Sequence, residues 1–304
     1  MITHIGSINV DYNILNERLP EVGETTFGTV QIDIGGKGGN QISASSRLGA
    51  ETCFISMLGE DDGNLDLIRR DLAWSGLSDE HIGMAPGMCG SAFLMVDDDA
   101  RNYIVICKAA DRYITPEFLD TKKEQIQSAN VVVTEFMVPL DACEYGMKLA
   151  REAGAITLVN PAPVCEISDS FYQLMDVITP NEVETAQYVG FEIDGEAAAK
   201  KAADFFHSKG VKNVVLTLGS AGAFVSDGQK SEMVPSYKVN AIDTSGAGDT
   251  FNGALAYALD KGHDIFTSTK FANAASSVAV QKRGAVKANP TMDEVLPIFQ
   301  LPEL

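Results

Sequence analysis

Asp243-Thr244-Ser245-Gly246-Ala247-Gly248-Asp249-Thr250-Phe251 is the stretch on which the reading of this chain turns. It follows a short segment read as extended (237–242) and opens an Ala-rich helix expected over about 247–259. Small residues at 245–248 let backbone N–H groups converge at a helix N-terminus. Partial positive charge gathers there, so the turn suits an anion such as a transferring phosphoryl group. Asp249 falls in the first turn, where a carboxylate can accept a proton from an attacking hydroxyl. A plain Gly-rich turn, with Asp249 only complementing the helix dipole, would use the same residues. The flanking chain has to decide.

Outward from this turn, short β-branched runs alternate with Ala-rich helical stretches. Runs at 2–8, 53–57, 131–134, 155–159, 177–179 and 214–217 read as strands. Helices are expected over 39–48, 139–153, from near Asn181, and over 196–209, 265–281 and 292–299. Continuous apolar strands separated by helices imply a parallel sheet covered on both faces. Two segments break this pattern. Val30, Ile32 and Ile34 share one face with Thr29, Gln31 and Asp33 opposite, and 91–96 with 103–106 reads as a hairpin around Asp97-Asp98-Asp99. Such alternation marks a half-exposed antiparallel sheet, placed as a small second layer whose apolar face needs a partner.

Composition narrows the possibilities. The 304 residues carry 23 Lys+Arg against 42 Asp+Glu, a formal net charge of −19. That balance argues against a nucleic-acid partner or an anionic membrane surface. With 45% hydrophobic residues the chain can bury a sizeable core, and no apolar run approaches the ~18–20 residues that span a bilayer. The start, Met1-Ile2-Thr3-His4-Ile5-Gly6, lacks a basic region followed by an apolar stretch, so no signal peptide is expected. Five scattered cysteines without a C-x-x-C pair fit free thiols in a reducing cytoplasm, and four scattered histidines argue against a zinc site. No repeat or linker is seen, so 1–304 is expected to form one domain.

Four further segments carry polar chemistry. Gly35-Gly36-Lys37-Gly38-Gly39-Asn40-Gln41 is neither a Walker A loop nor G-x-G-x-x-G. Its glycines allow a polar ligand close to the backbone, and Lys37 and Asn40 offer donors to hydroxyls; a flexible hinge loop is the plainer account. In Gly6-Ser7-Ile8-Asn9-Val10-Asp11, at the end of the first strand, Asn9 and Asp11 point the same way and suit a polyol, or else form an exposed turn. In Thr179-Pro180-Asn181-Glu182-Val183-Glu184, Asn181 and Glu184 have capping-box spacing, or orient a hydrated Mg²⁺. Thr217-Leu218-Gly219-Ser220-Ala221-Gly222 ends a strand in a turn that could receive nucleotide phosphates or ribose.

In this order the segments resemble the ribokinase-like (PfkB) family of sugar kinases across nearly the whole chain. The resemblance rests on Gly35–Asn40 and, more specifically, on 243–251. Asn9-x-Asp11, Gly35–Gln41 and Asn160-Pro161-Ala162-Pro163 are most similar to members that phosphorylate ribose. The resemblance implies a three-layer α/β/α fold with a mostly parallel central sheet. A small β-sheet lid, about 11–34 and 91–107, would cover the sugar. It implies an ATP-dependent kinase acting on a primary sugar hydroxyl, with Asp249 as base and Gly246, Ala247 and Gly248 as anion hole. Asn9, Asp11, Gly36, Lys37, Asn40 and Glu135 would hold the sugar, and Asn181 and Glu184 would lie near Mg²⁺. Asn181, Thr217, Gly219, Gly222 and Asn273 would line the nucleotide site. Asp243, Ser245, Ala279, Lys282 and Gly284 match a monovalent cation (K⁺) site, where members often add a serine hydroxyl and this chain has Ala288-Asn289.

D-ribose is the substrate this resemblance implies; another sugar, a nucleoside, or a non-catalytic sugar- or nucleotide-binding regulator are the alternatives. A dinucleotide-dependent oxidoreductase is disfavoured because no strand runs into G-x-G-x-x-G. Members usually read Gly-Ala-Asn after the lid hairpin, where this chain has Lys108-Ala109-Ala110-Asp111-Arg112. Lys108 or Arg112 touches a more polar or phosphorylated sugar, or both are exposed loop charges. The lid strands suggest a homodimer packed lid to lid.

Overall fold

A computed structural model describes residues 1–99 and 101–303. Ala100, within the expected lid span, and Leu304 lie outside the described residues. The strands are β1 (Ile2–Ile5), β2 (Asn9–Asn16), β3 (Thr29–Gly35), β4 (Thr52–Gly59), β5 (Ile82–Ala85), β6 (Gly90–Asp97), β7 (Asn102–Cys107), β8 (Val131–Glu135), β9 (Ile156–Asn160), β10 (Val177–Ile178), β11 (Asn213–Thr217), β12 (Ala223–Ser226) and β13 (Ser231–Val234). The main helices are α1 (Lys37–Arg47), α2 (Leu65–Trp74), α3 (Pro116–Asp120), α4 (Lys123–Gln127), α5 (Leu140–Glu152), α6 (Asp169–Tyr172), α7 (Glu182–Val189), α8 (Glu196–Ser208), α9 (Ala247–Asp260), α10 (Ile265–Ala279) and α11 (Met292–Val295).

The large sheet runs β13-β12-β11-β10-β9-β8-β1-β4-β5. Its strands from β11 to β5 are parallel, and β12 and β13 form an antiparallel edge. Every residue of β8 is buried, which is why it reads as an unbroken Val run rather than as an alternation. Val132 joins the core packed against α5 and α8, while Val131 and Val133 join the one packed against α9 and α10. Successive side chains of one strand therefore feed opposite layers.

The second sheet runs β3-β2-β6-β7, with β2 and β6 parallel and its outer pairs antiparallel. Its root is packed: Val10 and Ile34 join Ile8, Ile42, Phe54 and Leu72 in a separate core. Its outer part is not. Val30 and Ile32, expected on a covered face, are 62% and 38% exposed, and residues 103–106 are all exposed. The alternation gave the strand and its half-exposed character, and among the described residues no layer covers this face.

Other expectations need correction. The run 2–8 is not one strand. β1 stops at Ile5, the chain turns through Gly6-Ser7, and Asn9 and Asp11 sit on β2 of the second sheet. Glu135, at the end of β8, causes this turn: its two carboxylate oxygens accept the N–H groups of Ser7 (2.6 Å) and Met137 (2.7 Å). Residues 237–242 form no strand, α1 starts at Lys37 rather than at 39, and α10 and α11 end at Ala279 and Val295.

Candidate active site

The site is assembled where α1 crosses α9. The crossing is close because Gly253 has no side chain: a Cβ there would lie 2.2 Å from the Gln41 carbonyl oxygen and 2.6 Å from the Ala44 Cβ. Ser45 Oγ donates to the Gly253 carbonyl at 2.9 Å across the same crossing. This brings the first turn of α1 against that of α9. Asn40 Nδ2 then donates to Asp249 Oδ2 at 2.9 Å, and Gln41 Nε2 donates to Asp249 Oδ1 at 3.1 Å. Each oxygen of a carboxylate only 8% exposed thus carries one amide N–H. Asn289 Nδ2 donates to the Asn40 carbonyl (3.1 Å) and its Oδ1 accepts from Thr250 Oγ1 (2.7 Å), joining the two helices again.

Asp249 opens onto a cavity of about 190 Å³ lined by Lys37, Asn181, Glu184, Thr217 and residues 246–248, with Asn160, Thr179, Thr244 and Asn252. Gly246 precedes α9 at φ 70°, and no side chain caps this end. First-turn N–H groups have no acceptor within a helix; here the Ala247 N–H donates to the Thr244 carbonyl at 3.2 Å, so the turn offers the N–H of Gly248. A Cβ on Gly246 would fall 2.8 Å from Ala285 Cβ, so glycine is needed there for both conformation and clearance. Lys37 is the cation facing the cavity. Burial alone would depress its ammonium, but the carboxylates of Asp249, Glu184 and Glu135 hold it above its usual value.

Two glycines of 35–39 also clear a close approach within the chain. A Cβ on Gly36 would lie 2.8 Å from the Asn9 nitrogen, and one on Gly38 would lie 2.6 Å from Gly6. What approaches this loop is the chain's own 6–9 turn, and Lys37–Gly39 are already helical. Asn9 is buried with its Oδ1 unpartnered. Asp11 faces Asp33 across β2–β3, and burial, with Asp33 and Asp249 near, pushes its carboxyl up to about 7. Glu135 is fully buried beneath the turn it holds, and burial raises its carboxyl. In the departing loop, Lys108 and Arg112 are exposed, whereas Asp111 between them is buried. Its Oδ1 has no partner, its Oδ2 lies beside Asn9 over Gly90, and burial followed by Glu135 raises it to about 7.

Asn181 and Glu184 do form a capping box, Asn181 Oδ1 accepting from Glu184 N (2.8 Å) and Glu184 Oε2 from Asn181 N (2.9 Å). Both also line the cavity, so capping and ligand roles coexist. Only one Glu184 oxygen serves the cap, and burial raises this carboxyl, followed by opposing effects of its bond to Asn181, Lys37 and Asp249. That donor set fits the water shell of a Mg²⁺ ion, which keeps several waters.

Thr217 lies in the cavity, but Gly219 is in an exposed turn beyond it. Gly222 is buried, and a Cβ there would fall 2.1 Å from the Val234 carbonyl oxygen. Asn273 Nδ2 donates to that same carbonyl at 3.0 Å. These two therefore anchor the β12–β13 edge. Asp243 ties two loops together, its oxygens accepting from Ser245 N and Gly284 N at 2.9 Å each. Burial would raise its carboxyl, but these N–H groups hold it below the usual range. The Ala279 carbonyl accepts from Lys282 N (2.9 Å), and Lys282 Nζ pairs with Glu294. The five positions are thus contiguous, and the oxygens named already serve hydrogen bonds.

Sequence reasoning missed Gln41, Asn160, Thr179, Thr244 and Asn252 as site residues. Asn160, Thr179 and Thr244 sit at strand ends or a helix start that other motifs had already marked, whereas Gln41 and Asn252 lie within α1 and α9. Asn160 Nδ2 donates to the Thr179 carbonyl (3.1 Å), and Asn252 Oδ1 accepts from Thr179 Oγ1 (2.5 Å).

A doubly covered parallel sheet, a strand-root pocket and a carboxylate in the first turn of a helix without a side-chain cap define a phosphoryl-transfer architecture. Residues 1–292 match the pfkB family carbohydrate kinase model, and the chain belongs to that family. It is 36% identical over 301 residues to the ribokinase of Haemophilus influenzae, covering 98% of each chain. It is 29% identical over 296 residues to the deoxyribokinase of Salmonella typhi, covering 96% of each. The solved structure of Arabidopsis thaliana ribokinase complexed with ribose and ATP is similar to it at TM-score 0.92 and 30% identity, covering 98% of this chain and 99% of that one. The chain is an ATP-dependent carbohydrate kinase with a ribokinase-like fold.

Proposed function

We propose that this kinase transfers the γ-phosphoryl group of ATP to the primary hydroxyl of D-ribose, giving ribose 5-phosphate. The observation that carries the reading is Asp249, held by one amide on each oxygen within the uncapped first turn of α9. The hydroxyl O–H bond breaks and its proton passes to Asp249. The oxygen forms a bond to the γ-phosphorus, and the bond from that phosphorus to the bridging oxygen breaks, its electron pair leaving with ADP. Charge spreads over the transferring oxygens, so positioning and the N–H that the 246–248 turn offers supply most of the acceleration.

Asn9, Asp11, Gly36, Lys37 and Asn40 hold the sugar, with Glu135 fixing the turn that carries Asn9. Asn181, Thr217, Gly219, Gly222 and Asn273 lie toward the nucleotide. Asn181 and Glu184 hold a hydrated Mg²⁺, which when bound offsets phosphate charge. The segments at Asp243, Ser245, Ala279, Lys282 and Gly284 would hold a monovalent cation such as K⁺, which when bound would add positive charge beside the turn that opens α9. The second sheet acts as a lid over the sugar within a single kinase domain. Its uncovered Val30, Ile32, Phe93, Tyr103 and Val105 support a homodimer packed lid to lid, working in the cytoplasm. Val105→Asp, set on that apolar face, would leave only monomer in light scattering.

The test is ADP release from Mg·ATP with ribose, 2-deoxyribose, fructose, nucleosides and sugar phosphates, with and without K⁺. Ribose is expected to exceed the rest. Asp249→Asn should lose ~10²–10⁴-fold in turnover while remaining folded by circular dichroism; intact turnover would overturn the assignment of the base. Turnover only with 2-deoxyribose would move the substrate and keep the chemistry.

A further inference from the structure

We infer that Gln41 is a positioning residue for Asp249: it fixes Oδ1 and leaves Oδ2 as the atom that takes the substrate's proton. The inference rests on the reading of Asp249 as the base. Gln41 is fully buried, so it acts through Asp249 and not on substrate. Its Nε2 is shared between Asp249 Oδ1 and Asn160 Oδ1, each at 3.1 Å. Asn160 is itself fixed, its Nδ2 donating to the Thr179 carbonyl at 3.1 Å.

The orientation of this amide is set by chemistry. Turned over, Oε1 would face two acceptor oxygens with no proton among them. As it stands, Oε1 is buried without a partner. An unsatisfied buried acceptor is costly, so the amide is not placed to satisfy itself. It is held by the two oxygens it serves.

Asn40 differs. It meets Oδ2, its own Oδ1 has no partner, and it stands at the start of α1 on the proposed sugar side. A sugar hydroxyl arriving at Oδ2 can replace the Asn40 donor. Nothing arriving through the cavity can replace Gln41 without breaking the Asn160 link. The two amides on one carboxylate are thus unequal: one exchanges with substrate and the other remains.

The experiment uses Gln41→Met, close in shape but lacking the donor, with Asn160→Ala, the double variant and Asp249→Asn. Steady-state kinetics with ribose and Mg·ATP are read beside melting temperature. A fall in kcat on the order of 10–10²-fold is expected for Gln41→Met, with both KM values within about threefold. Asn160→Ala should fall less, and the double variant no further than Gln41→Met, since both act through one carboxylate. Unchanged kcat, or a rise in KM with kcat intact, would overturn the inference. If Gln41→Met does not fold, Asn160→Ala decides by the same kcat-against-KM criterion. If Asp249→Asn keeps its turnover, the base reading itself has failed, which is a different result from an idle Gln41.

Discussion

Gly253→Ala sets two effects against each other. In an exposed helix interior the change from glycine would stabilise by ~1 kcal/mol through propensity. Here the new Cβ would stand 2.2 Å from the Gln41 carbonyl oxygen, 2.6 Å from Ala44 Cβ and 3.0 Å from Ser45 N. Those atoms are mostly backbone of α1 and cannot rotate aside, so the helices must separate by roughly 1 Å. Overpacking of a close-packed interior costs ~1–3 kcal/mol, which outweighs the propensity gain. The same movement lengthens the 2.9 and 3.1 Å bonds from Asn40 and Gln41 to Asp249, and a displacement of that size costs up to ~10²-fold in rate. Urea unfolding and ribose-dependent ADP release would measure both. A Gly253→Ala protein that is more stable than the parent and turns over within threefold of it would refute the account of the crossing.

Three further outcomes follow from buried carboxyls and shared bonds. Asp111, raised to about 7 from 3.8, holds a proton in the folded chain that the unfolded chain has released, so its stabilising effect is present below pH ~4 and lost as pH rises through about 7. Asp111→Asn should therefore gain stability relative to the parent by up to a few kcal/mol between pH 5 and pH 8; a difference flat across that range in urea titrations would sink the argument. Glu135→Gln replaces one acceptor of the Ser7 and Met137 N–H groups by a donor, and should destabilise by ~2–3 kcal/mol in the same assay. Asn289→Ala leaves Thr250 Oγ1 and the Asn40 carbonyl without their partner; a loss of ~1–3 kcal/mol is expected, with no loss arguing that water replaces the amide.

The central layers were legible because their strands are buried on both faces and their helices carry small residues at contacts. The 243–251 turn was legible as a Gly-rich helix start carrying Asp249 for the same local reason: its small residues and Asp249 are adjacent in sequence. What could not be read was anything set by two distant segments meeting. Gly36 and Gly38 read as space for a ligand, and only the fold shows that they also make space for residues 6–9. Gly222 drew attention as part of a strand–turn, and nothing in that turn showed that its missing Cβ also clears the end of β13. Lys108 and Arg112 drew attention by charge, while Asp111 between them turned inward. Gln41 carried no signal of its own until α1 and α9 were brought together at Gly253.

Trp74 gives this assembly a consequence for observation. It is the chain's single tryptophan, 40% exposed at the end of α2. The Arg47 guanidinium and the Lys287 ammonium each lie 4.3 Å from its ring centre. Arg47 ends α1, the helix that begins with Lys37 and carries Asn40. Lys287 belongs to the turn between Ala285, which abuts Gly246, and Asn289, which binds Asn40. One indole is therefore gripped by both segments that frame Asp249. Its emission should report their relative movement as ligands bind, an optical signal available without attaching any dye.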